Sequence, residues 1–194
     1  MLASITPLGE RSRGVSWRVT ASAFALGSIG AGAAAGAAAG ALGSLMPGGS
    51  GWRALALIAV LAAALLFDAT PLRGRLPSSR RQVNEDWLSR YRGWVYGVAF
   101  GAQLGLGVVT VVTSAAVYAT AIVAVLCASP LIGALIGAAF GAVRAASLLP
   151  ARSARDREGL FALHRRLGRL EPASRGMAAL LELGLLAYLI LVVA

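Results

Sequence analysis

The chain has 194 residues, 58% of them hydrophobic and only 13% charged, with a formal net charge of +10. Soluble domains carry about 25% charged residues, and half that share does not cover a water-facing surface. The composition therefore excludes an ordinary soluble domain and points to a single membrane domain over 1–194, and the one cysteine, Cys127, excludes an internal disulfide or a multi-cysteine metal site.

The N-terminal tail carries Arg11, Arg13 and Arg18 ahead of an Ala/Gly-rich run, an arrangement that resembles a signal peptide. The chain starts at Met1, so this run is read as a retained helix. Five apolar segments follow one another, at about 19–46, 52–67, 94–128, 131–149 and 177–194. A membrane crossing takes about 20 residues, so each is adequate and two are overlong.

The cations are all arginine, 18 of them with no lysine, beside 24 glycines. GC-rich codons produce this mixture, which suggests a GC-rich bacterium. In a soluble protein such a charge suggests nucleic acid. Here the arginines stand between apolar runs and read as topology determinants, with no nucleic-acid partner. Arg73, Arg75, Arg80, Arg81, Arg90 and Arg92 separate segments two and three. Arg152, Arg155, Arg157, Arg165, Arg166, Arg169 and Arg175 separate segments four and five. Positive loops stay cytoplasmic. The arrangement that satisfies this rule is five crossings, with the N-terminus inside and the C-terminus outside a bacterial cytoplasmic membrane.

The 94–128 segment strains that scheme. A 35-residue helix would be about 50 Å long against a hydrocarbon core of about 30 Å. It is expected to tilt, to kink near Thr110–Ser114, to extend past the membrane, or to turn back as a hairpin that makes six crossings. Two repeat-like halves, 17–92 and 93–175, precede a final helix, 176–194. Both long helices open alike, with Ala23-Phe24 before Gly30 and Gly32, and Ala99-Phe100 before Gly105 and Gly107. Transporters often contain such repeats, although hairpins of similar composition look alike without one.

The two basic loops read as amphipathic cytoplasmic surface helices. The first carries Val83, Trp87, Tyr91 and Trp94 at helical spacing. The second has a capping pair, Ser153 and Asp156, then the stripe Leu160, Leu163, Leu167 and Leu170. Anionic lipid is the expected partner of their arginines, with docking of a cytoplasmic protein as the alternative. His164 reads as a surface residue.

Three sets of glycines spaced by four mark close helix packing: Gly32, Gly36, Gly40; Gly97, Gly101, Gly105; and Gly133, Gly137, Gly141. Gln103, Thr110, Ser114 and Tyr118 form a polar stripe along the third segment, suited to a pathway, a small pocket or interhelical hydrogen bonds. Arg144 and Glu182 lie at matching depths, and pairing would offset the cost of burying either charge. Asp68, at the end of segment two, is expected to pair with a loop arginine such as Arg92. Cys127 reads as a small buried hydrophobe. No catalytic, metal or cofactor constellation is present.

The stretch Phe100-Gly101-Ala102-Gln103-Leu104-Gly105-Leu106-Gly107-Val108-Val109-Thr110 resembles a core helix of the CcdA/DsbD-type membrane thiol-disulfide transporters. Those proteins and the related small LysE-like exporters are built from repeated, glycine-rich helical units. The resemblance covers roughly 50 residues and implies a similar fold. The paired membrane cysteines of that family are missing, so its thiol relay does not carry over.

The sequence thus predicts an all-α polytopic helix bundle of transporter-like build that binds or moves a small solute or ion. Its alternatives are a non-catalytic anchor or assembly subunit, with a protein partner or a second copy of itself, and a membrane-embedded thiol transfer protein.

Overall fold

A computed structural model describes residues 5–70, 87, 90–107, 114–154 and 156–193, and all regular structure among these residues is helical. The helices are α1 (Pro7–Ser12), α2 (Trp17–Ser44), α3 (Ser50–Ala69), α4 (Gly93–Leu106), α5 (Ala116–Leu126), α6 (Pro130–Ala146) and α7 (Arg157–Val193), with a 3-10 turn at Leu149–Ser153.

Local chemistry sets the ends of these elements. Thr6 caps α1 by accepting from the Gly9 amide at 3.1 Å, and Pro7 opens the helix with its fixed φ. The last carbonyls of α2 lack partners within the helix, and Arg53 donates to that of Gly43 at 3.3 Å and to the carbonyl of Met46, just past the helix, at 2.9 Å. α4 ends at Gly107, whose φ of 71° is the left-handed conformation glycine adopts without a Cβ penalty. Ala128 turns the chain at a φ of 49° before Pro130 opens α6.

The overlong third segment holds two helices: α4 ends at Leu106, and the next described helix, α5, starts at Ala116. One expectation changes here. The second basic loop and the final segment do not form separate helices. They make one 37-residue helix, α7, with Pro172 inside it, about 55 Å long at 1.5 Å per residue. Its cap is Asp156 alone, which accepts from the Gly159 amide at 2.6 Å, while Ser153 belongs to the 3-10 turn and donates to Pro150. Val83, on the first loop, lies outside the described residues.

The chain folds into two compact units. Residues 1–32, 80–110 and 138–170 form the first, and residues 33–79, 111–137 and 171–194 form the second. In the first unit, Gly97, Gly101 and Gly105 of α4 lie in turn against the α2 backbone at Thr20, Phe24 and Ser28, so the two helices run in the same direction. A Cβ on Gly97 would stand 2.8 Å from the Thr20 carbonyl oxygen, and at Gly101 it would come closer still to that of Phe24. Only glycine permits this approach. Gly141 of α6 meets α2 at Ser28, whose buried hydroxyl donates to the Gly141 carbonyl at 2.8 Å. Phe24 and Phe100, the matched phenylalanines of the two long segments, share one core with Ile5, Tyr96, Leu148 and Leu163.

In the second unit, Gly36 meets Gly133 and Gly137 while Gly40 meets Ser129 and Pro130, so α2 and α6 run antiparallel. Gly43 meets Val125 of α5. Ala64 of α3 packs with Ala115 and Ala119 of α5, with Val60 against them. α7 turns inward a stripe of Ala179, Glu182, Leu186 and Leu189, while Leu180, Leu181 and Leu191 are exposed. Many large apolar side chains face outward: Leu26, Leu55, Leu66, Leu131 and Val143 are all more than 60% exposed. A soluble monomer rarely exposes so much contiguous apolar surface.

Candidate functional site

Two polar centres stand out, one in each unit. The first is built on Glu10, a residue that sequence reasoning passed over as part of a basic tail. Its side chain is fully buried. One carboxylate oxygen accepts from Thr20 of α2 at 2.7 Å and from Tyr96 of α4 at 2.5 Å, and the other accepts from Arg13 at 2.6 Å. Burial works against the charge of Arg13, but the hydrogen bond and charge of Glu10 outweigh it and hold the guanidinium above its ordinary range. Ile5 and Thr6 are buried beside this cluster, and the Leu8 amide reaches the Ala154 carbonyl at 3.4 Å. A carboxylate sealed away from water is strongly destabilising unless its lone pairs are met, and here each oxygen has a donor. The available signal was Thr6-Pro7, a helix-start pair that marks an ordered element ahead of the first long helix.

The second centre lies where α5 begins. Asp68 of α3 accepts from the Ser114 hydroxyl at 2.5 Å and from the Ala115 amide at 2.7 Å, and Ser114 in turn accepts from the Ala116 amide at 3.1 Å. The expected pairing of Asp68 with Arg92 is therefore replaced by a helix cap. The unpaired amides and positive end of α5 offer a carboxylate what a loop arginine would, at a fixed position. Glu182, on the inward stripe of α7, is near enough for the charge of Asp68 to act on it. Its Oε2 is buried and accepts no hydrogen bond among the described residues.

The polar stripe does not form one helix face, because the helix carrying it is interrupted. Gln103 is half-buried in α4, Ser114 lies just before α5, Tyr118 is in its first turn, and Thr110 lies outside the described residues. Ser114 is the member drawn into a polar centre. Arg144 and Glu182, expected to pair, fall in different units and have different surroundings. Arg144 lies over the Phe140 ring, 5.1 Å from its centroid, and donates to the Leu104 carbonyl at 3.3 Å. It thus places positive charge at the carbonyl end of α4, as Asp68 places negative charge at the amide end of α5. Both ends of the interruption are met by side chains of the charge that the helix dipoles favour. Cys127 is half-buried just after α5.

The fold defines a class, an all-helical chain in which Trp17–Ser44, Gly51–Ala69 and Pro130–Ser153 are long and apolar enough to cross a membrane. Compared with protein-family models, curated proteins and solved structures, the chain finds no match.

Proposed function

We propose that this chain is a polytopic membrane protein of transporter-like build that moves a small cation or proton past Asp68, Ser114 and Glu182. The observation that carries the reading is the interruption of the third apolar segment, with an acidic side chain fixed on the restarting helix. Discontinuous helices are the usual way in which secondary transporters build ion and substrate sites inside the membrane. An ionisable side chain within an apolar helix is costly and is a functional candidate for that reason. Glu182 adds a second carboxyl group with an oxygen that no donor among the described residues meets.

The same reading has five crossings, the third made of α4 and α5, with a cytoplasmic N-terminus. The arginine distribution supports it, as does the shared direction of α4 and the first part of α2. The glycine faces act as zippers within the chain. A subunit that anchors a partner by such faces would turn them towards another molecule, but Gly36, Gly97, Gly101, Gly105, Gly133 and Gly141 meet helices of this chain. The lone half-buried Cys127 supplies no second thiol for a redox relay.

The test is proton flux. Purified protein in liposomes containing a pH-sensitive dye, driven by a potassium–valinomycin potential, is expected to acidify or alkalinise the lumen faster than protein-free liposomes. Asp68→Asn and Glu182→Gln are each expected to remove most of that rate. The reading fails if neither protons, sodium nor potassium move above the protein-free rate, or if both variants move them as the wild type does.

A further inference from the structure

The charge of this molecule is concentrated. The three stretches of the first unit contain fourteen of the eighteen arginines and five of the eight acidic residues, a net +9, while the second unit, with four arginines and three acids, has +1. One of those five acids, Glu10, is sealed inside and held by Arg13, Thr20 and Tyr96, so it screens nothing outside. Part of the apolar stripes of the basic stretches is taken up by the core. Leu163 is buried in the core with Leu167 against it, and Trp87 stacks on Phe100 with ring centroids 6.2 Å apart.

Exposed guanidinium and aromatic side chains gather where α2 and α4 begin side by side. Gly93 lies against Val15 and Thr20, which joins the two starts, and around this joint Arg18, Arg90, Tyr91, Arg92 and Trp94 are exposed. We infer that this Arg18–Arg90–Arg92 patch, rimmed by Tyr91 and Trp94, binds the headgroups of anionic phospholipids by electrostatic contact and not by insertion of an amphipathic helix. Arg92 and Trp94 flank the first residue of the apolar helix α4, so the patch lies where that helix would meet the headgroup layer. Trp and Tyr favour that level, and arginine there attracts acidic lipid. Guanidinium also matches the phosphodiester geometry with paired N–H donors. The inference rests on membrane embedding alone and stands whether or not the protein transports anything.

The experiment titrates phosphatidylglycerol, phosphatidylcholine, inorganic phosphate or polyglutamate into the purified full-length protein in neutral detergent. Bound lipid is counted by native mass spectrometry and the thermal midpoint is followed in parallel. Phosphatidylglycerol is expected to be retained over phosphatidylcholine and to raise the midpoint, with the effect shrinking as salt rises. Each arginine near an acidic surface contributes roughly fivefold. Arg18→Gln/Arg90→Gln/Arg92→Gln is therefore expected to bind phosphatidylglycerol at least tenfold more weakly, and the corresponding triple lysine variant to keep most of the affinity. If the glutamine triple does not fold, Arg90→Gln alone must weaken retention about fivefold. Equal retention of both lipids, full reproduction of the midpoint shift by phosphate, tighter capture of polyglutamate than of phosphatidylglycerol, or wild-type affinity in a folded glutamine variant would each overturn the inference.

Discussion

Replacing Glu10 by Gln changes one oxygen to an amide nitrogen and removes the charge from a fully buried site, with little change in volume. The carboxylate accepts from Thr20, Tyr96 and Arg13. Hydrogen bonds to a charged group contribute about 1.5–3 kcal/mol, against about 0.5–1.5 for neutral pairs. Each bond should therefore weaken by about 1 kcal/mol. Arg13 is 26% exposed, so solvent screens part of its share, and the total loss is about 2–3 kcal/mol. This loss falls on the docking of residues 5–15, because the carboxylate ties that stretch to α2 and α4. At about 1.4 kcal/mol per tenfold, the undocked population rises about 30- to 150-fold. Limited trypsinolysis reads it directly, since Arg11 and Arg13 become cleavable when the stretch undocks. The initial cleavage rate after Arg13 should rise by that factor in Glu10→Gln. In Tyr96→Phe, which removes one of the three bonds outright, it should rise about 10- to 140-fold. Cleavage of Glu10→Gln at the wild-type rate would refute the argument that the carboxylate holds this stretch in place.

Two further outcomes follow from the packing. Gly101→Ala puts a methyl group into the Phe24 carbonyl and should lower the thermal midpoint in detergent by the equivalent of about 1–3 kcal/mol. Gly30→Ala, which meets nothing within 4 Å, should be neutral or stabilising by up to about 1 kcal/mol. Equal effects at the two positions would refute the close approach of α4 to α2. Leu163→Ala should cost about 2–4 kcal/mol, since its side chain is 5% exposed in the first unit's core, while Leu170→Ala, at 50% exposure, should cost less than about 1. Matching midpoints for the two variants would mean that the basic half of α7 does not pack as described.

The sequence by itself determined what periodicity and composition can determine. The lack of charge forces an apolar exterior, and the runs 19–46, 52–67 and 131–149 mark the helices long enough to cross a membrane, because an unpaired backbone is not tolerated in lipid. Glycines spaced by four marked faces for close approach, and those of α4 do meet the α2 backbone. The tertiary structure alone decided which charges meet. Glu10 looked like one acid in a basic tail, because nothing local signals that Tyr96, 86 residues away, will donate to it. Asp68 looked like a partner for a nearby arginine, but the amide end of α5 was hidden until the 94–128 segment was found to be interrupted. Hydrophobicity recurs along a chain and can be read from it. The partner of a buried charge is set by which helix ends the fold brings beside it.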